Sequence, residues 1–323
     1  MKTKRVLILV ALLAVFAGYV GPADAAPAVE VWTVTQDGPS SAPPSLHFLK
    51  ADTLQETGIA NLGSGWAWHM AVANVGKNGD VWVTGNKQAQ IINLDGTVKG
   101  MVDDAGFSYT EGIEKYNGKM LLMGNTSSGG QIVEYNLDGT VNRTLVSAPT
   151  YIPGLGGTGG NMAGNEGFGV GPDGKLYVAQ TSYDQVIRFS KNGAFEAISS
   201  AFGGEVSDLV VINEGPRKGT ALITDRQDNN VREFNLATLS VGPVFHNSTV
   251  GASPTQVIVE PGGNILIAST GSTVRRFDQA GNLLNESFMH AARTNFRAVA
   301  YIPEPASLAL LSLGGLMILR RRR

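Results

Sequence analysis

Six polar or charged residues each stand directly before a short apolar segment, and the pattern repeats along the sequence. They are His69, Glu111, Glu166, Asp208, Gln256 and Arg297. Imidazole, carboxylate and amide groups are ligands for divalent cations such as Ca²⁺. An arginine among them would balance charge or hold an anionic ligand. If the six segments are equivalent strands around one axis, these side chains form a ring.

Three interpretations of this ring remain open from the sequence. In the first, the side chains line a water-filled channel and pair with one another, Arg297 with a carboxylate. In the second, a cation lies in the channel, and in the third the ring is catalytic. The residues predicted to hold the cation are His69, Glu111, Glu166 and Asp208, with Gln256, Arg297 and Trp68 as channel or ligand contacts.

Aromatic and glycine-rich segments lie near the same places. Trp66, Trp68 and Tyr109 stand close to the starts of the apolar segments, where they either wedge between structural units or stack on sugar rings. Residues 147–168 contain seven glycines and lead into Glu166. This loop is either an irregular surface insertion or a flexible lid. It lacks the Gly-Lys-Ser/Thr ending of a phosphate-binding loop.

No group of residues typical of a nucleophilic enzyme appears in the sequence. The four histidines are scattered, and no serine lies in a Gly-x-Ser-x-Gly turn. The absence of cysteine excludes disulfides, thiolate metal sites and cysteine nucleophiles. These observations favour a non-catalytic role, although they leave the question of an enzyme open.

The elements that position these residues are predicted to be repeated β-hairpins. Hairpin turns recur at Gly79, Gly118, Gly174, Gly219 and Gly263, at spacings of 39, 56, 45 and 44 residues. Asp-Gly and Asn-Gly pairs between alternating segments are strong hairpin signals. Units of about 45 residues with four short strands are typical of propeller blades. The 41 glycines and the 16% content of charged residues fit many tight turns between packed sheets.

The repeat count predicts an all-β, six-bladed propeller over residues 26–302. Five complete repeats are followed by one further strand, 298–301. Strands near 29–34, 46–51 and 55–59 lie at the opposite end of this region. Pairing the two sets completes a sixth blade and removes the exposed sheet edges of an open array.

The repeats "LITDRQDNNVREF" and "LYVAQTSYDQVIRF" resemble those of NHL-type propellers. Such propellers carry binding, scaffolding and hydrolytic functions, so the resemblance implies the fold rather than a chemistry. Gluconolactonase-like propellers are the enzymatic alternative, in which a channel cation polarises a lactone carbonyl. Their Glu-Gly-Pro opening is missing, because Ile or Phe follows the glycine after Glu111 and Glu166.

The net charge of −2 hides two basic ends around an acidic middle. Three of the 25 basic residues precede residue 26 and four follow residue 302, but only two of the 27 acidic residues lie there, so the middle carries −7. Nucleic acid is therefore not an expected partner. Residues 1–25 have the basic, apolar and small-residue parts of a secretory signal peptide.

The C-terminal segment 303–323 has three parts in order. An apolar stretch, 306–319, is predicted to be a short membrane helix. The residues on either side of it are Pro303, Glu304, Pro305, Arg320, Arg321, Arg322 and Arg323. This order resembles the PEP-CTERM sorting signal, and a permanent tail anchor is the alternative. The resemblance implies a Gram-negative producer of exopolysaccharide, transient inner-membrane anchorage, and processing by an exosortase after signal peptidase.

Together these features predict an exported protein at the cell surface or in the extracellular matrix. It would bind extracellular polysaccharide or surface proteins without catalysis. The alternative is a gluconolactonase-like metal-dependent hydrolase with a cation in the channel. No cofactor is expected apart from this divalent cation, for which Ca²⁺ is the candidate.

Overall fold

The fold is a closed ring of six four-stranded antiparallel sheets. The computed structural model describes residues 30–35, 44–62, 70–74, 80–85, 87–248, 252–270, 273–288 and 296–302. The predicted signal peptide 1–25 and C-terminal segment 303–323, with its membrane helix, lie outside these residues. Across the described part of the chain, no helix has the length and apolar character needed to span a membrane.

The blades are numbered 1 to 6 in the order of their second strands, and each list below runs in that order. The inner strands are Phe296–Ile302, Met70–Asn74, Tyr109–Tyr116, Asn165–Val170, Val206–Ile212 and Pro254–Val259. The second strands are Glu30–Thr35, Asp80–Val83, Lys119–Thr126, Leu176–Gln180, Thr220–Asp225 and Ile265–Ser269.

The two remaining strands of each blade lie farther from the axis. The third strands are Ser45–Lys50, Gln90–Asn93, Gly129–Tyr135, Gln185–Phe189, Asn230–Asn235 and Thr273–Phe277. The outer strands are Glu56–Asn61, Val98–Met101, Val141–Val146, Phe195–Ile198, Ser240–Asn247 and Leu283–Phe288. Between blades 3 and 4 the chain adds the short strands Tyr151–Ile152 and Gly160–Asn161 and a 3₁₀ turn at Leu155–Gly157, and a second 3₁₀ turn is Thr181–Tyr183 in blade 4.

Tight glycine turns connect the inner strand of a blade to its second strand. Gly118, Gly174, Gly219 and Gly263 have φ values of 71°, 79°, 84° and 90°, where a side chain would be strained. These positions confirm four of the predicted hairpin turns, while Gly79 lies outside the described residues. We call the face that carries these turns the lower face, and the face where the inner strands begin the upper face.

Blade 1 is built from both ends of the described chain, which confirms the predicted closure. Its inner strand comes from residues 296–302 and its other three strands from residues 30–61. Glu30 pairs with Ile302 and Val34 with Ala298. The Thr33 hydroxyl donates to the Ala298 carbonyl at 2.7 Å. Strand pairing therefore joins the ends of the ring in a protein that has no cysteine.

The hydrophobic core lies between neighbouring blades. Six clusters of buried apolar side chains occupy the six contacts of the ring. Trp32 of blade 1 packs into the cluster with blade 2, and Trp82 of blade 2 packs into the cluster with blade 3. Both indoles are fully buried. The inner strands are thus held at fixed positions around the axis.

Candidate functional site

A β-bulge interrupts the upper end of the inner strand in five blades. In each case the inner strand carries one more residue than the second strand opposite. The extra residue lies within the pairs Glu111–Gly112 and Glu166–Gly167, or is Ser207, Thr255 or Arg297. Bulges redirect side chains and recur beside functional sites. No sequence pattern indicated these bulges.

The bulges divide the predicted ring into two sets. Glu111, Glu166 and Arg297 lie within the bulges, whereas Asp208 and Gln256 lie one residue farther along and pair with Thr224 and Ala268. His69 lies outside the described residues, as do Trp66 and Trp68. Five of the six predicted ring residues therefore lie near one mouth of the channel. Three of them lie within a bulge, and two lie one residue beyond it.

Asp208 and Gln256 connect neighbouring blades. The Asp208 carboxylate accepts a hydrogen bond at 2.9 Å from the Val257 amide of blade 6. The Gln256 side-chain oxygen accepts one at 2.7 Å from the Val299 amide of blade 1. Both side chains are buried, so these bonds are shielded from water. They join three consecutive inner strands.

An ion-pair cluster occupies the upper mouth. Arg226 lies 2.5 Å from a Glu166 oxygen and 2.7 Å from a Glu205 oxygen. Burial raises the pKa of Glu166, while Arg226 and Arg297 act against that rise. Burial and the charge of Arg226 lower the pKa of Arg297. Glu166 thus lies in the field of two arginines.

Glu111 lies in the same mouth, and its side chain is a neutral carboxylic acid rather than a carboxylate. Asn125 donates to a Glu111 oxygen at 3.0 Å and accepts from the Gly164 amide at 3.2 Å. Burial, reinforced by the charge of Glu166, raises the pKa of Glu111 to about 9. Glu111 therefore carries a proton at neutral pH and can donate a hydrogen bond. Burial and the two glutamates also raise the pKa of Tyr109.

The glycine-rich segment is an insertion on the upper face, fixed by apolar side chains. Ile152, Leu155 and Met162 from this segment are buried in the core between blades 3 and 4. The ring of Tyr183 packs on the backbone of Gly156, where an added Cβ would lie 2.7 Å from it. Tyr151 and Tyr183 remain 61% and 43% exposed, so they present aromatic surface on the upper face.

The carboxylates predicted to hold a cation each have another partner. Glu111 bonds to Asn125, Glu166 pairs with Arg226, and Asp208 accepts from Val257. Within the described ranges, no three His, Asp or Glu side chains are grouped so as to hold a metal ion. His69, the fourth predicted ligand, lies outside those ranges. The cation stays a prediction from the sequence.

Two residues of the mouth were missed by sequence reasoning. Arg226 stands directly after the second strand of blade 5, and Asn125 lies near the end of the second strand of blade 3. The repeat places the ends of second strands beside the starts of inner strands, but polar residues occur at these ends in every repeat and do not single out Arg226 or Asn125.

Comparison with known proteins identifies the fold. No family model matches the chain, and no curated protein matches it. A Bacteroides caccae protein of unknown function superposes with a TM-score of 0.63 at 14% identity, over 86% of this chain and all of that one. A structure from a nidogen/laminin complex gives 0.64 at 15% identity, over 85% of this chain and 99% of the other. Virginiamycin B lyase from Staphylococcus aureus gives 0.49 at 15% identity, covering 70% and 71%.

Proposed function

We propose that this protein is an exported, non-catalytic binding protein that holds an anionic partner at the upper mouth of its propeller. The observation that carries this proposal is that Arg226 pairs with Glu166 at the mouth while Arg297 lies close enough to lower the pKa of the same carboxyl group. Arginine binds carboxylate groups through several N–H donors at once. The protonated Glu111 adds a further donor nearby.

The expected partner class is an acidic extracellular polysaccharide or an acidic patch on a surface protein. The exposed Tyr151 and Tyr183 offer apolar ring surface on the upper face. Aromatic surface with nearby polar groups suits sugar rings as well as protein side chains. Among structures of the same fold, one is that of a nidogen/laminin complex, so protein binding is compatible with this architecture.

Calorimetric titration of the purified protein with a polyuronate oligosaccharide tests this proposal. We expect saturable binding that weakens with added salt and falls at least tenfold in Arg226→Met. Arg143→Met is the matched control, because Arg143 pairs with Glu134 on the outer part of blade 3. Equal binding by the two variants, or equal binding of neutral dextran, would contradict an anion site at the mouth.

We also propose that an exosortase sorts the protein to the cell surface. The sequence order Pro303-Glu304-Pro305, apolar stretch and arginines supports this, and so does the end of the last strand at Ile302. Cleavage beside Pro303 would leave the ring complete. Intact-mass analysis of protein from the producing cells should give a C-terminus close to residues 303–305. A mass that includes Arg323 would favour the permanent tail anchor.

A gluconolactonase-like hydrolase remains the second candidate. The raised pKa of Glu111 favours it, because a buried carboxylic acid at a channel mouth suits proton donation. This candidate requires lactone hydrolysis that stops with a chelator and in Glu111→Ala. It also requires about one divalent ion per chain by elemental analysis. A content well under one divalent ion per chain would exclude the hydrolase.

A further inference from the structure

Both ends of the propeller leave the ring at one place. Glu30, the first residue of the second strand of blade 1, pairs with Ile302, the last residue of its inner strand. Inner strands run from the upper to the lower face, and second strands run back. Because the two strands are antiparallel, Glu30 and Ile302 both lie at the lower face. The segments before residue 30 and after residue 302 therefore connect to the same side of the molecule.

The connection to the predicted membrane helix is short. Three residues, 303–305, separate Ile302 from the apolar stretch 306–319. An extended chain advances at most about 3.6 Å per residue, so the apolar stretch would begin within about 14 Å of Ile302. The predicted signal peptide 1–25 precedes Glu30 and leads to the same face. A chain held in a membrane by its C-terminal segment therefore keeps its lower face near the lipid.

Exposed apolar side chains lie at the lower end of the two blades that flank blade 1. Leu283 and Leu284 begin the outer strand of blade 6 and are 52% and 47% exposed. Val98 begins the outer strand of blade 2 and is 46% exposed. Outer strands run from the lower to the upper face, so these first residues lie at the lower rim. We call Leu283, Leu284 and Val98 the rim patch.

Charged side chains beside this exit occur in pairs of opposite sign. Lys50 and Asp52 are both exposed at the lower end of blade 1. Arg276 of blade 6 pairs with Glu260 at 2.7 Å, and both side chains are buried. An unbalanced charge is costly to bring toward an apolar medium, whereas these four charges cancel. They therefore do not oppose contact between this part of the lower face and zwitterionic lipid.

Building on the membrane anchorage proposed above, we infer that the lower face of the propeller lies against the lipid surface while the chain is anchored. The rim patch would contact the head-group region, as exposed apolar patches do at membrane contacts. The inner strand Tyr109–Tyr116 has eight residues, which at about 3.3 Å each separate the two faces by about 25 Å. The upper mouth, with Arg226 and Arg297, therefore faces a partner in the surrounding medium.

Single-cysteine labelling of the full chain tests this orientation, because the sequence has no cysteine of its own. The chain, prepared without exosortase, is reconstituted in phosphatidylcholine vesicles that contain spin-labelled head groups. Thr53→Cys carries a fluorophore at the exposed lower end of blade 1, and Ser127→Cys carries it in the exposed upper hairpin of blade 3. We expect at least threefold stronger quenching of the label in Thr53→Cys. Equal quenching, or stronger quenching in Ser127→Cys, would overturn the inference.

Flotation of the vesicles separates this inference from the anchorage itself. A chain that does not float with the vesicles contradicts the anchor and the orientation together, whereas a floating chain with equal quenching contradicts the orientation alone.

A rim variant tests the contact with lipid. Leu283→Asp combined with Leu284→Asp should lower the quenching in Thr53→Cys at least twofold without preventing flotation, because the tail carries the anchorage. Tyr151→Asp is the matched control, since Tyr151 is exposed on the upper face, and it should leave the quenching unchanged. Unchanged quenching in the rim variant would overturn the contact between the rim patch and the head groups.

Discussion

The inner strands of blades 4 and 5 lie side by side, and each carries a carboxylate near the bulge at its upper end. Glu166 lies within the bulge of blade 4 and pairs with Arg226 at the mouth. Asp208 lies one residue beyond the bulge of blade 5 and bonds to the backbone of blade 6. A shift of one residue thus decides whether the carboxylate pairs with an arginine at the mouth or accepts a hydrogen bond from the backbone of the next blade.

Gly167→Val should have the largest effect on stability, because it places a side chain at the position in blade 4 that corresponds to Asp208 in blade 5. An added Cβ would lie 2.1 Å from the Asp208 carboxylate and 2.5 Å from its Cα. We expect a loss of about 3 kcal/mol or more in the free energy of unfolding, measured by urea denaturation. Gly100→Ala is the control, since nothing lies within 4 Å of its added Cβ. Equal stability of the two variants would show that the strands can separate at little cost.

Asp208→Ala removes the bond between blades 5 and 6. The Val257 amide would be left buried without its acceptor, which costs about 2 kcal/mol in the free energy of unfolding. Asp208→Asn should lose less than half of that, because its amide oxygen can still accept. If both variants lose the same amount in denaturant titrations, the ionised carboxylate rather than the hydrogen bond is what stabilises the contact.

Glu166→Gln tests the carboxylate of blade 4. It weakens a half-buried ion pair, but Glu205 still pairs with Arg226, so we expect a loss of about 1.5 kcal/mol in unfolding free energy. Glu205→Gln should lose under about 0.5 kcal/mol, since Glu205 is 45% exposed. A larger loss from Glu205→Gln would reverse the roles given to the two glutamates.

Glu111→Gln should give the smallest effect at pH 5, and this effect should grow as the pH rises. The pKa of Glu111 is about 9 in the folded protein, so the folded state keeps a proton that the unfolded chain loses above about pH 5. Stability therefore falls as the pH rises from about 5 to 9. Glutamine cannot ionise, so the variant should match the parent at pH 5 and exceed it by roughly 4 kcal/mol in the free energy of unfolding at pH 8. Thermal unfolding at both pH values measures this, and a variant that is less stable at pH 8 would refute the raised pKa.

The fold followed from the sequence because turns and alternation are local. Asp-Gly and Asn-Gly turns fix the hairpins, and the unpaired strand at 298–301 pointed to the closure with residues 30–61. The bulges could not be predicted in the same way. One extra residue in an inner strand leaves the apolar pattern beyond it intact, so Glu166 and Asp208 looked equivalent.

The candidate site was predicted in part for a related reason. The change from polar to apolar residues marks the start of each inner strand, and this change is what predicted Glu111, Glu166 and Arg297 as site residues. Arg226 and Asn125 act from second-strand ends, where polar residues are common and carry no special pattern. Glu114 looked like one polar residue of an alternating strand, and only the packing of five blades shows that it faces a cavity.

The closure of blade 1 also bears on when the protein can finish folding. Its inner strand comes from residues 296–302, at the far end of the described chain from the strands that it joins. During synthesis, five blades can form in order, but the ring stays open until these last residues are available. Contacts between such distant residues form slowly. A nascent chain that lacks residues 296–302 therefore keeps the edge of the strand at residues 30–35 unpaired.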